Sequence, residues 1–558
     1  SFRVAVHQNS RLFTMRLSHE NRWLVLAAAV IVEQAGGFMY MFGLLSEELK
    51  DKFHLTQSSL DFVGSSATVG SQFGIHMGYF FDVFGPRATL GLGGLLSALG
   101  FLLMWLAIHF ALPISTAPLS VITFLFGQGQ LTMDLAIIPT LASNFPNHRG
   151  MAVGMAKAFV GLSGSLATAV YNGFLYPDVV GFLLLLVAWI SVACTVGVVF
   201  IQRCPAVELP SLPRAKDFAR QWLTTGFACT YFMCAVLLAV ALCESFVQVS
   251  KGVRIMFALC IITVNLMIVT FLGTRREPSL DQAQSSVDMA SLTEQQESER
   301  SGERSRPLQH QMTLVEALCT GDFWLHWCAS SLATGGGLLL INNIAQVNLA
   351  LGRDDESGIV FISLLSISNC LGRITSGTLS DWLLAIYPGF PRPLFLAGTT
   401  ALSGAMLAVF AWMPHAGTLY AAVSVVGAGY GAVNALNPVV AAENFGVKHL
   451  GSIYTALSVS MAVASYGCAT FLFGEVYDAH SNGACVVDEA CHSGDSPACS
   501  SAGARHQESC CLGAACTTLS FGVTAAGSML AVCFFALLAC RTRQRYLPSE
   551  ARSCQCRP

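Results

Sequence analysis

The sequence predicts an all-α polytopic membrane protein of two six-helix halves with an extra helix pair between them, and three observations carry that prediction. The chain of 558 residues is 54% hydrophobic and only 11% charged, with a mean hydropathy of +0.58, whereas globular domains are roughly a quarter charged. Its apolar residues gather into runs of about 20, the length that crosses a hydrocarbon core ~30 Å thick. A short motif also occurs twice. GYFFDVFGPR, with Gly78, Asp82, Gly85 and Arg87, closes the second apolar run, and GRITSGTLSDW closes a later one with Gly377 and Asp381. Weak internal copies of this kind mark membrane folds built from repeated halves.

Fourteen runs are long enough, near 23–45, 60–81, 89–111, 118–140, 151–173, 179–201, 223–243, 255–273, 323–347, 358–383, 391–413, 418–440, 450–474 and 518–540. Each motif copy is read as the end of the second helix of a half. The first half then covers 23–201, the second covers 323–540, and 223–273 is an inserted helix pair. The alternative is twelve spans, with 223–243 and 255–273 as surface or re-entrant segments.

Sidedness follows from the basic residues. Arg11, Arg16 and Arg22, Arg87, Arg149, Arg203, Arg214, Lys216 and Arg220, and finally Arg541, Arg543 and Arg545, all fall on one side of this topology. The positive-inside rule makes that side cytoplasmic, with both termini, 1–22 and 541–558. The N-terminal stretch is polar and shows no secretory signal peptide. Residues 274–312, rich in Ser, Glu, Gln and Arg, read as a disordered cytoplasmic linker, a plain tether or a phosphorylated regulator. The net charge of -3 gives no basic patch for nucleic acid, so the surrounding partner is the lipid bilayer, of the plasma membrane or an endomembrane.

The loop 479–517 falls on the other side and holds Cys485, Cys491, Cys499, Cys510, Cys511 and Cys516. An extracellular or lumenal position suits disulfides. His480, His492 and His506 keep metal capture as the alternative, without the spacing of a zinc site. Cys540, Cys554 and Cys556 lie on the cytoplasmic side, as palmitoylation sites or as unmodified thiols.

The Gly78, Asp82, Gly85, Arg87 pattern resembles the loop between helices 2 and 3 of the major facilitator superfamily. The second copy departs after Asp381, where WLLAIYPGF replaces the basic end. NFPNHRGMAVGMAKAFVGLSG (144–164), FGVKHLGSIYTALSV (445–459) and GEVYD (474–478) resemble the nodulin-like family, related to monocarboxylate and oxalate/formate transporters. The resemblance runs from about 22 to 540 and implies two major-facilitator halves that rock about a central site. It also implies that Gly78 and Gly377 permit close helix approach while Asp82 and Arg87 latch the cytoplasmic side. Monocarboxylate transporters are similar in carrying a substrate-binding arginine four residues before the motif glycine, the place of Arg373; Asn369 stands where they have an acidic partner.

A charge in mid-membrane costs about 2.5–3.5 kcal/mol and so needs a partner, water or a function. Arg373 lies ~12 Å in from the helix end at Asp381, and Lys157 lies ~12 Å beyond Arg149 on the other half. Two such cations suit a small anion, and a guanidinium suits a carboxylate; the bland readings are a structural arginine and a snorkelling lysine. Asp134, and Glu33 at ~16 Å depth, are candidates to bind a coupling proton or to serve as structural partners. His76 reads as packing. Gly335, Gly336 and Gly337 are candidates either to open their helix or simply to pack against a neighbouring one, ahead of Asn342 and Gln346, whose four-residue spacing puts both amides on one face. Gln128, Gln130, Asn434 and Asn437 are further candidates for the same cavity. Gly150, Gly154 and Ala158 read as a close helix contact.

The sequence therefore predicts a secondary active transporter of a small, anionic, monocarboxylate-like solute, with a proton as the candidate co-transported ion. The alternatives are a metal or metal-chelate transporter and a non-transporting membrane sensor. No P-loop, no nucleophile and base constellation, no cofactor motif and no clustered metal ligands in the spans point to an enzyme or a resident metal. Because only the first motif copy keeps its basic end, gating is expected to be asymmetric.

Overall fold

The computed structural model describes residues 21–37, 45, 49, 52–53, 55, 57–204, 213–246, 249–274, 311–352, 356–387, 389–480, 483–486, 507–510 and 513–546. The expectations for residues 1–20, for 275–310, for Cys491, Cys499, Cys511, Cys554 and Cys556, and for His492 and His506 lie outside them.

The chain is a helical bundle. In the first half come α1 (Arg22–Gly36), α2 (Gln57–Gln72), α3 (Ile75–His109), α4 (Thr116–Asn144), α5 (Arg149–Val170) and α6 (Val179–Phe200). A pair follows, α7 (Pro213–Phe246) and α8 (Lys251–Gly273), then the single turn α9 (Leu314–Leu318). The second half holds α10 (Gly321–Ala350), α11 (Glu356–Ile386), α12 (Arg392–Trp412), α13 (Ala416–Phe445), α14 (Leu450–Ala464), α15 (Phe473–Ala479) and α16 (Ala515–Tyr546). Ten helical stretches among the described residues are long and apolar enough to cross a membrane. Their outer faces are apolar as well, with Leu95, Val121, Val192, Met256, Leu402 and Leu519 among the most exposed large side chains, as lipid contact requires.

Local chemistry explains the breaks. Asn21 caps α1 by accepting from the Trp23 amide at 3.0 Å, and Asp178 caps α6 through the Gly181 amide at 2.8 Å; such caps satisfy helix-end donors. The gap between α2 and α3 frees carbonyls inside the bundle, and Gln128 Nε2 donates to two of them, Gly70 O at 2.8 Å and Phe73 O at 2.6 Å. Within α3, Gly85 has φ 80° and ψ -178°, a region open essentially to glycine alone, and Pro86 follows. This is the turn that separates the predicted second and third spans. Gly85→Ala is expected to cost about 1–3 kcal/mol of backbone strain, read as a lower unfolding temperature in detergent.

The halves resemble each other down to irregularities. After α5 the chain winds into a π-helical turn, Tyr171–Leu175, and after α14 into another, Ser465–Leu472; π segments recur at functional sites. The halves meet where α5 packs on α11 and α14 packs on α3.

The pair α7 and α8 is stacked on itself through Trp222 and Phe271, 4.1 Å apart, and touches both halves. Asn265 of α8 and Gln34 of α1 exchange amide hydrogen bonds at 2.8 and 3.1 Å. Tyr231 of α7 bonds Thr375 of α11 at 3.0 Å, and Cys234 Sγ lies 3.5 Å from Cys370 Sγ. In the cysteine-bearing loop, β1 (Gly483–Val486) pairs antiparallel with β2 (Gln507–Cys510), and Cys485 stands opposite Glu508. Cys516 is disulfide-bonded.

Candidate functional site

A cavity of about 570 Å³ lies between the halves. It gathers Glu33, Asp134, Lys157, Asn342, Gln346, Asn369 and Arg373, seven residues from five helices that the sequence singles out separately. Gln130 and Asn434 line it too.

Its floor is made of charges. Lys157 of α5 forms an ion pair with Asp134 of α4. Tyr454, which crosses from α14 of the other half, donates its hydroxyl to Asp134 Oδ2 at 2.8 Å and accepts from Lys157 Nζ at 3.0 Å. Arg373 of α11 donates from Nη1 to the Lys157 carbonyl at 2.7 Å and from Nε to Asn369 Oδ1 at 2.9 Å. Glu33 of α1 has Asp134, Lys157 and Arg373 as its charged neighbours. It is 1% exposed, and its Oε1 meets no donor from the protein. Lys157 and Arg373 are 7% and 2% exposed, so Lys157 ends on a partner in the bundle and does not snorkel to an interface.

The wall is uncharged and mixes apolar side chains such as Leu338, Ile341, Leu365 and Met461 with polar ones. Asn342 Nδ2 donates to Ser465 Oγ at 3.3 Å, on the π-helical turn of the second half. The buried Gln346 Oε1 has no donor within the protein.

Several expectations need correction. Helix α10 departs from helical geometry at Asn343, with φ -125° and ψ 18°, rather than at the glycines. A Cβ on Gly335, Gly336 or Gly337 would meet Cys468, Leu407 or Tyr430 within 2.8 Å, so the glycines are filled by packing. Asn343 re-satisfies the opened backbone, donating to Leu339 O at 3.1 Å and Ala469 O at 2.9 Å. Gln128 holds the α2–α3 break and is not among the cavity's lining residues. Asn437 is likewise elsewhere, accepting from Ser330 Oγ at 3.1 Å beside His326 Nε2, also at 3.1 Å. His76 is exposed.

Below the floor the motif residues join the halves. Asp82 accepts from the Gly451 and Ser452 amides at 3.1 and 3.0 Å, at the start of α14. Asp381 accepts from the Met151 amide at 2.8 Å, at the start of α5. Each aspartate thus sits on the positive end of a helix from the opposite half. The glycines make this approach possible: a Cβ on Gly78 would lie 2.6 Å from Ser452 Cα, and one on Gly377 would lie 2.4 Å from Gly150 O. Gly150 and Gly154 face the same seam, as their spacing suggests.

The basic partners are not those the motif names. Arg87 donates to Gln202 Oε1 at 2.8 Å and Val199 O at 3.3 Å, within its own half, while Arg203 stands over the Phe81 ring at 5.1 Å. In the second half Arg392, at the start of α12, bonds Asp381 at 2.5 Å, Glu443 at 2.8 Å and Ser380 at 2.6 Å. The basic end that looks lost after Asp381 is therefore supplied from Arg392. The two latches differ in their charges: Arg392 pairs with both Asp381 and Glu443, whereas Arg203 is the charged neighbour of Asp82. Comparing LASNF (141–145) with AAENF (441–445) shows the signal: Glu443 stands where the first half has Ser143.

The profile of the nodulin-like family matches residues 22–272. The chain is similar to Protein NUCLEAR FUSION DEFECTIVE 4 of Arabidopsis thaliana, 21% identical over 500 residues that cover 83% of this chain and 81% of that protein. A segment is similar to Monocarboxylate transporter 13 of Bos taurus, 30% identical over 143 residues, 25% of this chain and 32% of the relative. Among solved structures, the fold is similar to that of the major facilitator superfamily proton:xylose symporter XylE, with a TM-score of 0.53 and 13% identity over 93% of this chain and 95% of that one.

Proposed function

We infer that this chain, a nodulin-like member of the major facilitator superfamily, carries a small organic anion together with a proton through the cavity between its halves. Family and fold are those of membrane transporters and not of enzymes; the anion and the proton are the finer reading. The observation that carries it is the charge balance of the cavity floor. Glu33 and Asp134 face Lys157 and Arg373, so the floor is neutral when all four are ionised. Protonating the Glu33 carboxyl, whose Oε1 has no donor in the protein, leaves one positive charge in excess. A monoanion neutralises it, and in a low-dielectric site that compensation favours binding proton and anion together. A cavity of about 570 Å³ is of the size that encloses small ligands, and the similarity of one segment to a monocarboxylate transporter points to the same solute class.

The sidedness follows from the charges. Arg22, Arg87, Arg149, Arg203, Arg541, Arg543 and Arg545 sit at the latch end, which the positive-inside rule assigns to the cytoplasm. The disulfide-bonded Cys516 stands at the other end of α16, where an oxidising compartment suits it. With both latches engaged, this is the outward-facing arrangement.

The test is uptake of a panel of labelled mono- and dicarboxylates by proteoliposomes under an acid-outside gradient. At least one monocarboxylate is expected to accumulate. Glu33→Gln is expected to cut gradient-driven accumulation at least tenfold while leaving anion exchange. A panel that yields no flux, or a Glu33→Gln protein that still accumulates like wild type, rules the reading out.

A further inference from the structure

We propose that Tyr454 is the positioning residue through which the charge state of the cavity reaches the latches, an inference that rests on the transporter reading above. Two observations meet in this side chain. First, its hydroxyl links the second half to the first at the cavity floor, donating to Asp134 and accepting from Lys157 at 2.8 and 3.0 Å. Second, Tyr454 lies one turn from the Gly451 and Ser452 amides that grip Asp82. Helix α5 is arranged in the same way. Its Met151 amide holds Asp381, and less than two turns later it presents Lys157. The Lys157–Tyr454 bond therefore joins the two helices whose first turns form the latches.

Sequence and geometry give the hydroxyl a defined dependence. The charged groups around it are Asp134 and Lys157, in direct contact, with Glu33 and Arg373 on the same cavity floor. When Asp134 is ionised, the hydroxyl donates to a charged acceptor, and such bonds are shorter and stronger than neutral ones. When Asp134 takes a proton from cavity water, the acceptor becomes neutral and the bond weakens; when Lys157 turns to an incoming anion, the hydroxyl loses its donor. The second half is then held less tightly at the floor. A rigid helix carries the change one turn to Gly451 and Ser452, and the grip on Asp82 loosens. Neither half can make this link alone, because Asp134 and Lys157 belong to one and Tyr454 to the other.

Hydrogen–deuterium exchange on the purified full-length protein tests this without a substrate. The readout is exchange of segments 148–155 and 447–455, which contain the latch amides. Tyr454→Phe keeps the ring and removes the hydroxyl, and it is expected to speed exchange of both segments several-fold while α6 and α16 stay as in wild type. Asp134→Asn, which mimics the protonated acid, is expected to do the same. The decisive result is the double variant. If Tyr454 transmits the state of Asp134, combining the changes adds little to either alone. Wild-type latch exchange in Tyr454→Phe, or fully additive effects in the double variant, overturns the proposal. If Tyr454→Phe does not fold, Asp134→Asn still decides: a well-folded Asp134→Asn protein with wild-type latch exchange refutes it. Intact coupling in a protein that moves no solute would count against the transporter reading, not against this link.

Discussion

Replacing Gly377 with leucine is expected to hold the latch end apart and to reduce net transport at least tenfold, although the protein still reaches the membrane. The expectation rests on what the new side chain would meet. A Cβ at Gly377 falls 2.4 Å from the Gly150 carbonyl oxygen, with Gly154 Cα at 3.4 Å. Both are backbone of α5, which cannot step aside as a flexible side chain can. Helices α5 and α11 must separate, and the Asp381 contact with the Met151 amide lengthens as they do. Gly78→Leu should act in the same way, against Ser452 Cα and Gly451 O at 2.6 and 2.7 Å. The two effects differ in size. The Asp381 latch also loses its alignment with Arg392, Ser380 and Glu443, whereas Asp82 has the two helix-end amides as hydrogen-bond donors and Arg203 as a charged neighbour. Faster exchange in residues 148–155 for Gly377→Leu, compared with 447–455 for Gly78→Leu, reads this asymmetry directly. Equal wild-type exchange in both variants would show that the glycines do not set the approach of the helices.

The duplicated motif makes much of this legible in the sequence. Counting turns from Asp381 places Arg373 at depth, and counting from Arg149 does the same for Lys157, because helical rise is fixed. The residues that escape notice do so for physical reasons. Tyr454 is uncharged and amphipathic, so it raises no alarm in an apolar run; only the approach of α14 to Asp134 gives its hydroxyl a role. Arg392 escapes because the chain returns to Asp381 from a different helix, and no local spacing encodes that return. Asn343 is passed over for the neighbouring glycines since glycine is the usual mark of a flexible helix. In a dry bundle, however, a helix opens where something re-satisfies the backbone, and an asparagine side chain does this while packed glycines do not.

The charge balance of the floor yields the largest effect on stability. Lys157→Ala removes the cation paired with Asp134 and leaves that carboxylate beside Glu33, two acids facing Arg373 across a buried site. Breaking a buried pair by deleting one partner costs about 3–5 kcal/mol, because the remaining charge is uncompensated. The Lys157→Ala protein is therefore expected to unfold at markedly lower temperature in detergent. Rescue separates this charge effect from lost packing. Asp134→Asn in the same chain removes the orphaned charge, keeps a group that can accept from the Tyr454 hydroxyl, and should recover most of the lost stability. If lost packing of the lysine stem were the cause instead, the second substitution would recover none. Lys157→Ala alone should not carry out anion-coupled transport, because with Glu33 protonated Asp134 and Arg373 cancel and no positive charge is left for the anion. In the double variant Glu33 and Arg373 remain, so protonation again leaves one positive charge, and stability and anion coupling are expected to return together.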